Sequence, residues 1–378
     1  MIFKASANFK NLVSLVIKEA LIFKSRSFIL YLSGRFMIKF IYLVFLYIVM
    51  QMHSSLLSAR EIIAGVGIHP ETFKGDPEVL LKLMKSYGVM SYRTDFPWQQ
   101  VEKTKGMYNF PNDNFKKLIN SSQNDKLSLI LILGYGNNHY EDFNDANPRG
   151  KPTRKSTIDA FSNYAYWSAK NVKNDSVTFE IWNEWIQMAG KKNRDSALSD
   201  ESAAIYAKLV NESCLKIKQV NSNIKVIAGG ISPLDDKSIR WLEKVIDLKG
   251  FDCIDGISLH PYDFSIYRKL SAKRTFSYIQ KFHEKLLLNY NKDYPLYITE
   301  TGVPDGLTNN KTQDEVSKYI SEYFRIVNNT SYIKGVWWYD FINDGDDVTN
   351  PEHNYGLLEN NLKPKPAARA FKLISESQ

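Results

Sequence analysis

The chain has 378 residues, 44% of them hydrophobic and 24% charged, with a formal net charge of +8 at pH 7. That composition belongs to a globular protein with enough apolar residues for a sizeable core, and it excludes a disordered or low-complexity chain. Residues 1–59 hold seven Lys/Arg and one acid, which leaves 42 basic and 40 acidic residues in the remainder, so a nucleic-acid partner is not implied.

Residues 1–59 stand apart from the rest of the chain. An unbroken apolar stretch of eleven residues, 40–50, follows Arg35 and Lys39 and precedes Leu57-Ser58-Ala59. A basic flank, a short apolar run and a small residue at the cut site describe a secretory signal peptide. A spanning helix needs about twenty apolar residues. The expected location is therefore secreted or periplasmic. An uncleaved membrane anchor over residues 37–59, with the folded part outside the cytoplasm, is the alternative. Met37 would open such a signal, which makes residues 1–36 an upstream extension or a basic membrane-facing helix.

From residue 60 onward apolar β-runs alternate with amphipathic helical patterns. The runs are 62–69, 90–98, 127–135, 177–185, 223–230, 253–262, 294–302 and 333–341. The helical patterns are 77–87, 114–121, 158–172, 202–220, 238–248, 276–290, 313–327 and 365–375. Eight of each predict a (β/α)8 TIM barrel as a single domain over 60–378, with a doubly wound open sheet as the alternative.

Cofactor signals are weak. Gly65-Val66-Gly67 lacks the third glycine of a dinucleotide turn, and no zinc-type cysteine spacing or phosphate loop occurs. No cofactor and no metal are expected. The acidic run 344–347 reads as a solvated loop sooner than a Ca²⁺ site. Cys214 and Cys253 read as two buried thiols sooner than a disulfide.

The chemistry is carried by two glutamates that close apolar strands. Glu184 ends Val177-Thr178-Phe179-Glu180-Ile181-Trp182-Asn183, and Glu300 ends Leu296-Tyr297-Ile298-Thr299. A carboxylate at the C-terminal tip of a barrel strand lies on the face where such barrels keep their chemistry. Two of them face to face are what hydrolysis of a glycosidic bond requires. Glu184 is assigned as general acid/base, with Trp182 and Trp185 expected to lower the dielectric around it. Glu300 is assigned as nucleophile, kept ionised by donors for which Arg93 and Tyr262 are the candidates. Glu180 is expected to pair with Arg93 or another inner cation, because a buried charge needs a partner.

The remaining strand ends supply candidate sugar contacts. Asn183 offers an amide to a hydroxyl, and His260 and Tyr262 offer a ring nitrogen and a phenol. Sugar C–H faces stack on aromatic rings. Trp338 is the expected floor, with Trp337 turned to the helices or the alternation the other way round, and Trp98, Tyr135 and Tyr140 widen the platform. Lys191, Lys192 and Arg194 stand on a rim loop, where they read as a solvated face or as contacts for an acidic polymer.

With these motifs in place, the chain resembles a retaining glycoside hydrolase of clan A over residues 62–375. The resemblance rests on Ile181-Trp182-Asn183-Glu184, Ile298-Thr299-Glu300 and the Trp337-Trp338 strand. Arg93-Thr94-Asp95-Phe96-Pro97-Trp98, Lys105-Gly106-Met107-Tyr108, Tyr355-Gly356-Leu357-Leu358 and Lys363-Pro364-Lys365-Pro366-Ala367 add to it. Within that clan it is similar to family 39 and its bacterial exopolysaccharide-cleaving relatives. The resemblance implies double displacement on a β-glycosidic bond of a polysaccharide or oligosaccharide, with Asn183 on the sugar 2-hydroxyl. The accessory β-sandwich of the family's β-xylosidases has no counterpart here, which counts against an exo-xylosidase. A catalytically silent carbohydrate-binding barrel and a membrane-anchored component of polysaccharide assembly or export are the alternatives.

Overall fold

The computed structural model describes residues 62–144, 147–187, 194–307 and 310–376. The leader, with its signal or anchor, and the rim lysines 191 and 192 lie outside the described residues. Residues Glu61–Gln378 form one compact unit. Among the described residues no helix is long and apolar enough to cross a membrane.

Eight parallel strands close into a barrel in chain order: β1 (Ile63–Gly67), β2 (Ser91–Pro97), β3 (Ser128–Gly134), β4 (Val177–Ile181), β5 (Lys225–Ile231), β6 (Gly256–Leu259), β7 (Leu296–Thr301) and β8 (Ile333–Trp338). The connecting helices are α1 (Pro77–Ser86), α2 (Asp113–Asn124), α3 (Lys155–Asn171), α4 (Asp200–Val220), α5 (Asp236–Asp247), α6 (Ala272–Tyr290) and α7 (Gln313–Val327), and α8 (Pro366–Glu376) follows β8. The expected (β/α)8 barrel is the fold. Helix starts are written locally. Asp76, Asn112, Ser199, Asp235 and Ser271 each accept a backbone N–H of the first turn, and Thr312 with Glu315 forms a capping box.

Two cores result. The larger fills the layer between strands and helices, where β-branched and aromatic strand residues meet the apolar stripes of the helices. The smaller lies inside the barrel and consists of Ile130, Ile227, Tyr297 and Trp337, with Ile63 against it. Space for its two large rings comes from glycine. A Cβ on Gly65 would lie 2.4 Å from the Trp337 ring, and one on Gly256 would lie 2.5 Å from the Tyr297 ring. Trp337 therefore points inward, with its Nε1 donating to Ser91 Oγ at 3.0 Å. Trp338 points outward against Tyr319 of α7. This is the second of the two alternations open to β8, not the one that makes Trp338 the floor.

The cysteines also differ from expectation. Cys214 on α4 and Cys253 before β6 form a disulfide, with Cα atoms 6.0 Å apart. The loop before β6 returns beneath the C-terminal half of α4 and brings the two side chains within bridging range.

Candidate active site

Above the inner core, the barrel carries buried charge. Arg93 on β2 donates through Nε to Glu180 Oε2 at 2.7 Å, through Nη1 to Glu300 Oε2 at 3.0 Å and through Nη2 to Asn183 Oδ1 at 2.8 Å. Glu180 is fully buried and takes a further hydrogen bond from Thr299 Oγ1 at 3.0 Å. The expected Arg93–Glu180 pair is present, and Arg93 extends it to the strand tips.

Two departures from regular backbone turn the glutamates into the opening. After β4, Trp182 and Glu184 adopt φ of +64° and +50°. These left-handed conformations break strand alternation, so Trp182 packs outward while both Asn183 and Glu184 line the cavity. Non-glycine residues pay of order 1–3 kcal/mol for such geometry, and it concentrates at functional sites. On the other side, the β7–β8 register shifts between Ile298 and Thr301. The irregularity lets Thr299 face the interior while Glu300, its neighbour, still faces the cavity.

The cavity has a volume of about 440 Å³. One carboxylate oxygen of Glu184, one of Glu300 and a ring nitrogen of His260 all lie within 4.8 Å of one another. His260 Nδ1 is 3.0 Å from Glu184 Oε1 and 3.6 Å from Glu300 Oε2. Its Nε2 is 3.1 Å from Thr299 Oγ1. The Thr299 hydroxyl hydrogen goes to Glu180, so Thr299 Oγ1 can accept from a protonated Nε2, while Arg93 Nη2 also stands 3.5 Å from that nitrogen. Nδ1 can then give a proton to the Glu184 carboxylate or take one from its acid form. Burial alone lowers the His260 pKa, but the charges of Glu300 and Glu184 outweigh it and raise the imidazole above its ordinary value.

Glu300 shows the opposite balance. Burial opposes its ionisation, yet the charges of His260 and Arg93 and a 2.6 Å hydrogen bond from the Tyr262 hydroxyl hold the carboxyl below its ordinary value. It is thus kept ionised, as a nucleophile must be. Asp95, two residues beyond Arg93 on the same face of β2, also lines the cavity, and burial pushes its carboxyl up to about 6.

The other candidates divide. Asn183, Tyr135, Tyr262 and Arg93 line the cavity as expected, and Asn183 Nδ2 donates to the Tyr135 hydroxyl at 3.3 Å. His260 is buried beneath the carboxylates, where it supports them and does not offer a face to a sugar. Trp98 is not part of the platform. It is buried in the outer core, stacked on Tyr140, with its indole N–H donating to Glu102 at 2.6 Å. Trp338 is likewise buried away from the opening, and the aromatic rings that line the cavity beyond β8 are Tyr339 and Tyr355, which meet edge to face at 5.2 Å. Trp182 and Trp185 pack on each other in the outer core, and the side chains that reach Glu184 Oε1 are His260 at 3.0 Å and the Gln187 amide at 3.1 Å.

Among the wall residues that sequence did not single out as site residues are His69, Asp95, Tyr339, Glu352 and Tyr355. Asp95 and His69 continue the inward parity of Arg93 and Gly67, which is a usable signal. Glu352 and Tyr355 come from the loop after β8, which carries no periodic pattern. Within the acidic run, Asp344 accepts from His69 Nδ1 at 2.8 Å, and Asp347 Oδ1 accepts from the Thr349 backbone and hydroxyl. Those contacts account for two of its carboxylates within the fold.

Residues 191–371, somewhat less than half of the chain, match the family model described as the glycosyl hydrolase catalytic core. The matched region holds Glu300 and begins beyond Glu184. The structure is similar to a family 39 glycoside hydrolase from the gut symbiont Bacteroides cellulosilyticus WH2, with 25% identity and a TM-score of 0.67, over 84% of this chain and 64% of that one. A family 5, subfamily 18 protein from Streptomyces cattleya, solved with GlcNAc, aligns at 14% identity and a TM-score of 0.65, over 84% of this chain and 80% of that one. Xylanase 10B from Thermotoga maritima aligns at 14% identity and a TM-score of 0.58, over 85% and 97%. The last two likenesses show the fold alone. The chain spans less than two thirds of the family 39 structure, and no curated protein matches it. On these findings the chain is similar over residues 191–371 to the glycosyl hydrolase catalytic core, and its (β/α)8 barrel is similar to that of a family 39 glycoside hydrolase.

Proposed function

We propose that the barrel is an O-glycosyl hydrolase that cleaves β-glycosidic bonds of a polysaccharide or oligosaccharide with retention of configuration. The observation that carries this reading is the pair Glu184 and Glu300, with carboxylate oxygens within 4.8 Å across one end of the barrel. Carboxyl groups about 5–5.5 Å apart leave no room for an attacking water and favour a covalent glycosyl-enzyme, whereas inverting pairs stand ~6.5–9.5 Å apart.

In this mechanism Glu300 attacks the anomeric carbon as Glu184 protonates the departing oxygen. The glycosidic C–O bond breaks, and the sugar is left as an ester of Glu300. Glu184, now a carboxylate, takes a proton from water, which attacks the same carbon and frees Glu300. Arg93 and Tyr262 stabilise the Glu300 charge before attack and after release. Asn183 stands beside the pair, where its amide can meet the 2-hydroxyl of the sugar. The two carboxylates balance the reaction between them, so it calls for no cofactor or metal.

We place the enzyme outside the cytosol, secreted or periplasmic, or held to a membrane through residues 37–59. The Cys214–Cys253 disulfide supports an oxidising compartment.

The test is a time course of the purified protein on plant and bacterial polysaccharides and on aryl β-glycosides, with Glu300→Gln alongside. Products released by the wild type and absent from the variant support the assignment. Equal activity of the two would remove Glu300 from the mechanism.

A further inference from the structure

A second cavity of about 420 Å³ adjoins the catalytic one, and Asp95 is a wall of both. It lies between the segment after β1, the end of β2 and the start of α2. Its size falls within the ~300–1,000 Å³ of small-ligand pockets. The Phe73 ring, half-buried, and Pro70, Pro97 and Pro111 give it apolar faces. Between these stand Glu71, Gln100 and Asn114, whose side chains make no hydrogen bond among the described residues. Among the described residues, Asp95 itself has only the Tyr135 hydroxyl, at 3.5 Å, within bonding range.

Amides and carboxylates set between apolar faces match the alternating hydroxyl and C–H surface of a sugar ring. The charge is one-sided. No Lys, Arg or His lines this cavity, while two carboxylates do. The cations of the catalytic cavity are already engaged, Arg93 by Glu180 and Glu300 and His69 by Asp344. A uronate or sulfated sugar would meet unbalanced negative charge, whereas an uncharged or amine-bearing sugar would not.

Resting on the glycosidase reading, we propose that this cavity is a distal sugar subsite, joined to the catalytic cavity over Asp95, that takes an uncharged or amine-bearing unit of the same polymer chain. Binding energy gained there is available to the transition state only in substrates long enough to reach it. The enzyme therefore acts on chains and gains little from a single glycosyl unit.

Two measurements test this and separate its failure from that of the glycosidase reading. The first compares kcat/KM for aryl β-monoglycosides with that for tri- to hexasaccharides, in wild type, Phe73→Ala and Gln100→Ala. Expected is a loss of tenfold or more on the longer substrates for Phe73→Ala and a smaller one for Gln100→Ala, with monoglycosides unchanged within twofold. The second titrates Glu300→Gln protein, with and without Phe73→Ala, by calorimetry. Its probes are cello-, xylo-, chito- and chitosan hexamers and an oligogalacturonate. Binding of a neutral or amino hexamer that Phe73→Ala weakens supports the subsite even where no cleavage occurs, which would fault the glycosidase reading alone. An unchanged chain-length advantage in both variants, tightest binding of the oligogalacturonate, or binding of no hexamer overturns the proposal.

Discussion

Arg93 and Glu300, 207 residues apart in the chain, meet across the barrel with Nη1 3.0 Å from Oε2. The same guanidinium holds Glu180 and Asn183, so one side chain ties the tips of β4 and β7 to β2. A planar fork with several fixed donors can do this. An ammonium, which acts as a point charge, cannot serve three partners in these directions.

Arg93→Met is expected to leave Glu180 as a buried charge without a cation, at a cost of about 3–5 kcal/mol. The double variant Arg93→Met/Glu180→Met removes that charge and should regain most of the stability while staying inactive. Urea unfolding of the two proteins, read beside turnover, checks this. Equal destabilisation in both would mean that the ion pair is not what Arg93 contributes.

Tyr262→Phe tests how Glu300 is kept ionised. The folded pKa of Glu300 is depressed, so its contribution to stability is present above the unfolded value and is lost as pH falls through the folded one. The acid limb of kcat/KM in the wild type should accordingly lie below the ordinary glutamate range. Removing the 2.6 Å hydrogen bond takes away one of the lowering interactions and moves that limb upward. A hydrogen bond to a charged group contributes about 1.5–3 kcal/mol, which corresponds to roughly one to two pH units. A pH–rate profile that does not move would show that His260 and Arg93 suffice.

The glutamates were legible in the sequence because a carboxylate closing an apolar strand has no packing reason to be there. The Arg93–Glu180 pair was legible for the related reason that neither charge can be buried alone. The tryptophans were not. β8 is buried on both faces, so its residues give no alternation from which to tell Trp337 from Trp338, and the decision lies with Gly65 on a neighbouring strand. Trp98 misled because it directly follows β2, where the chain turns into a short helix and carries the ring into the outer core. Glu352 and Tyr355 reach the cavity from an irregular loop, which periodicity cannot place. The disulfide depends on the packing of the loop before β6 under α4, a distance that sequence does not contain.

Gly230 packs against the backbone of Glu184 and does not line the catalytic cavity. It sits at φ +56°, and a Cβ there would lie 2.9 Å from the Glu184 backbone nitrogen. Left-handed geometry costs an L-residue about 1–2 kcal/mol, and the contact adds pressure on the backbone that aims Glu184, the proposed acid/base. Gly230→Ala is expected to lower kcat by at least tenfold with a smaller change in KM. The loss should be largest on glycosides with poor leaving groups, which depend most on protonation by Glu184. A uniform loss across leaving groups would place the damage elsewhere than at Glu184.

The Cys214–Cys253 bridge closes a segment with a sequence separation of 39, which spans the end of α4, β5 and α5. Loop-closure entropy for that length corresponds to about 4 kcal/mol of stabilisation, acting on the unfolded chain. Neither cysteine lines the catalytic cavity. The Cys214→Ser/Cys253→Ser double variant should therefore unfold at lower urea concentration while keeping wild-type kcat under conditions where it stays folded. Dithiothreitol should shift the wild type towards the variant and leave the variant unmoved. If the reductant moves neither protein, the thiols are unpaired, and the disulfide's support for an oxidising compartment goes with it.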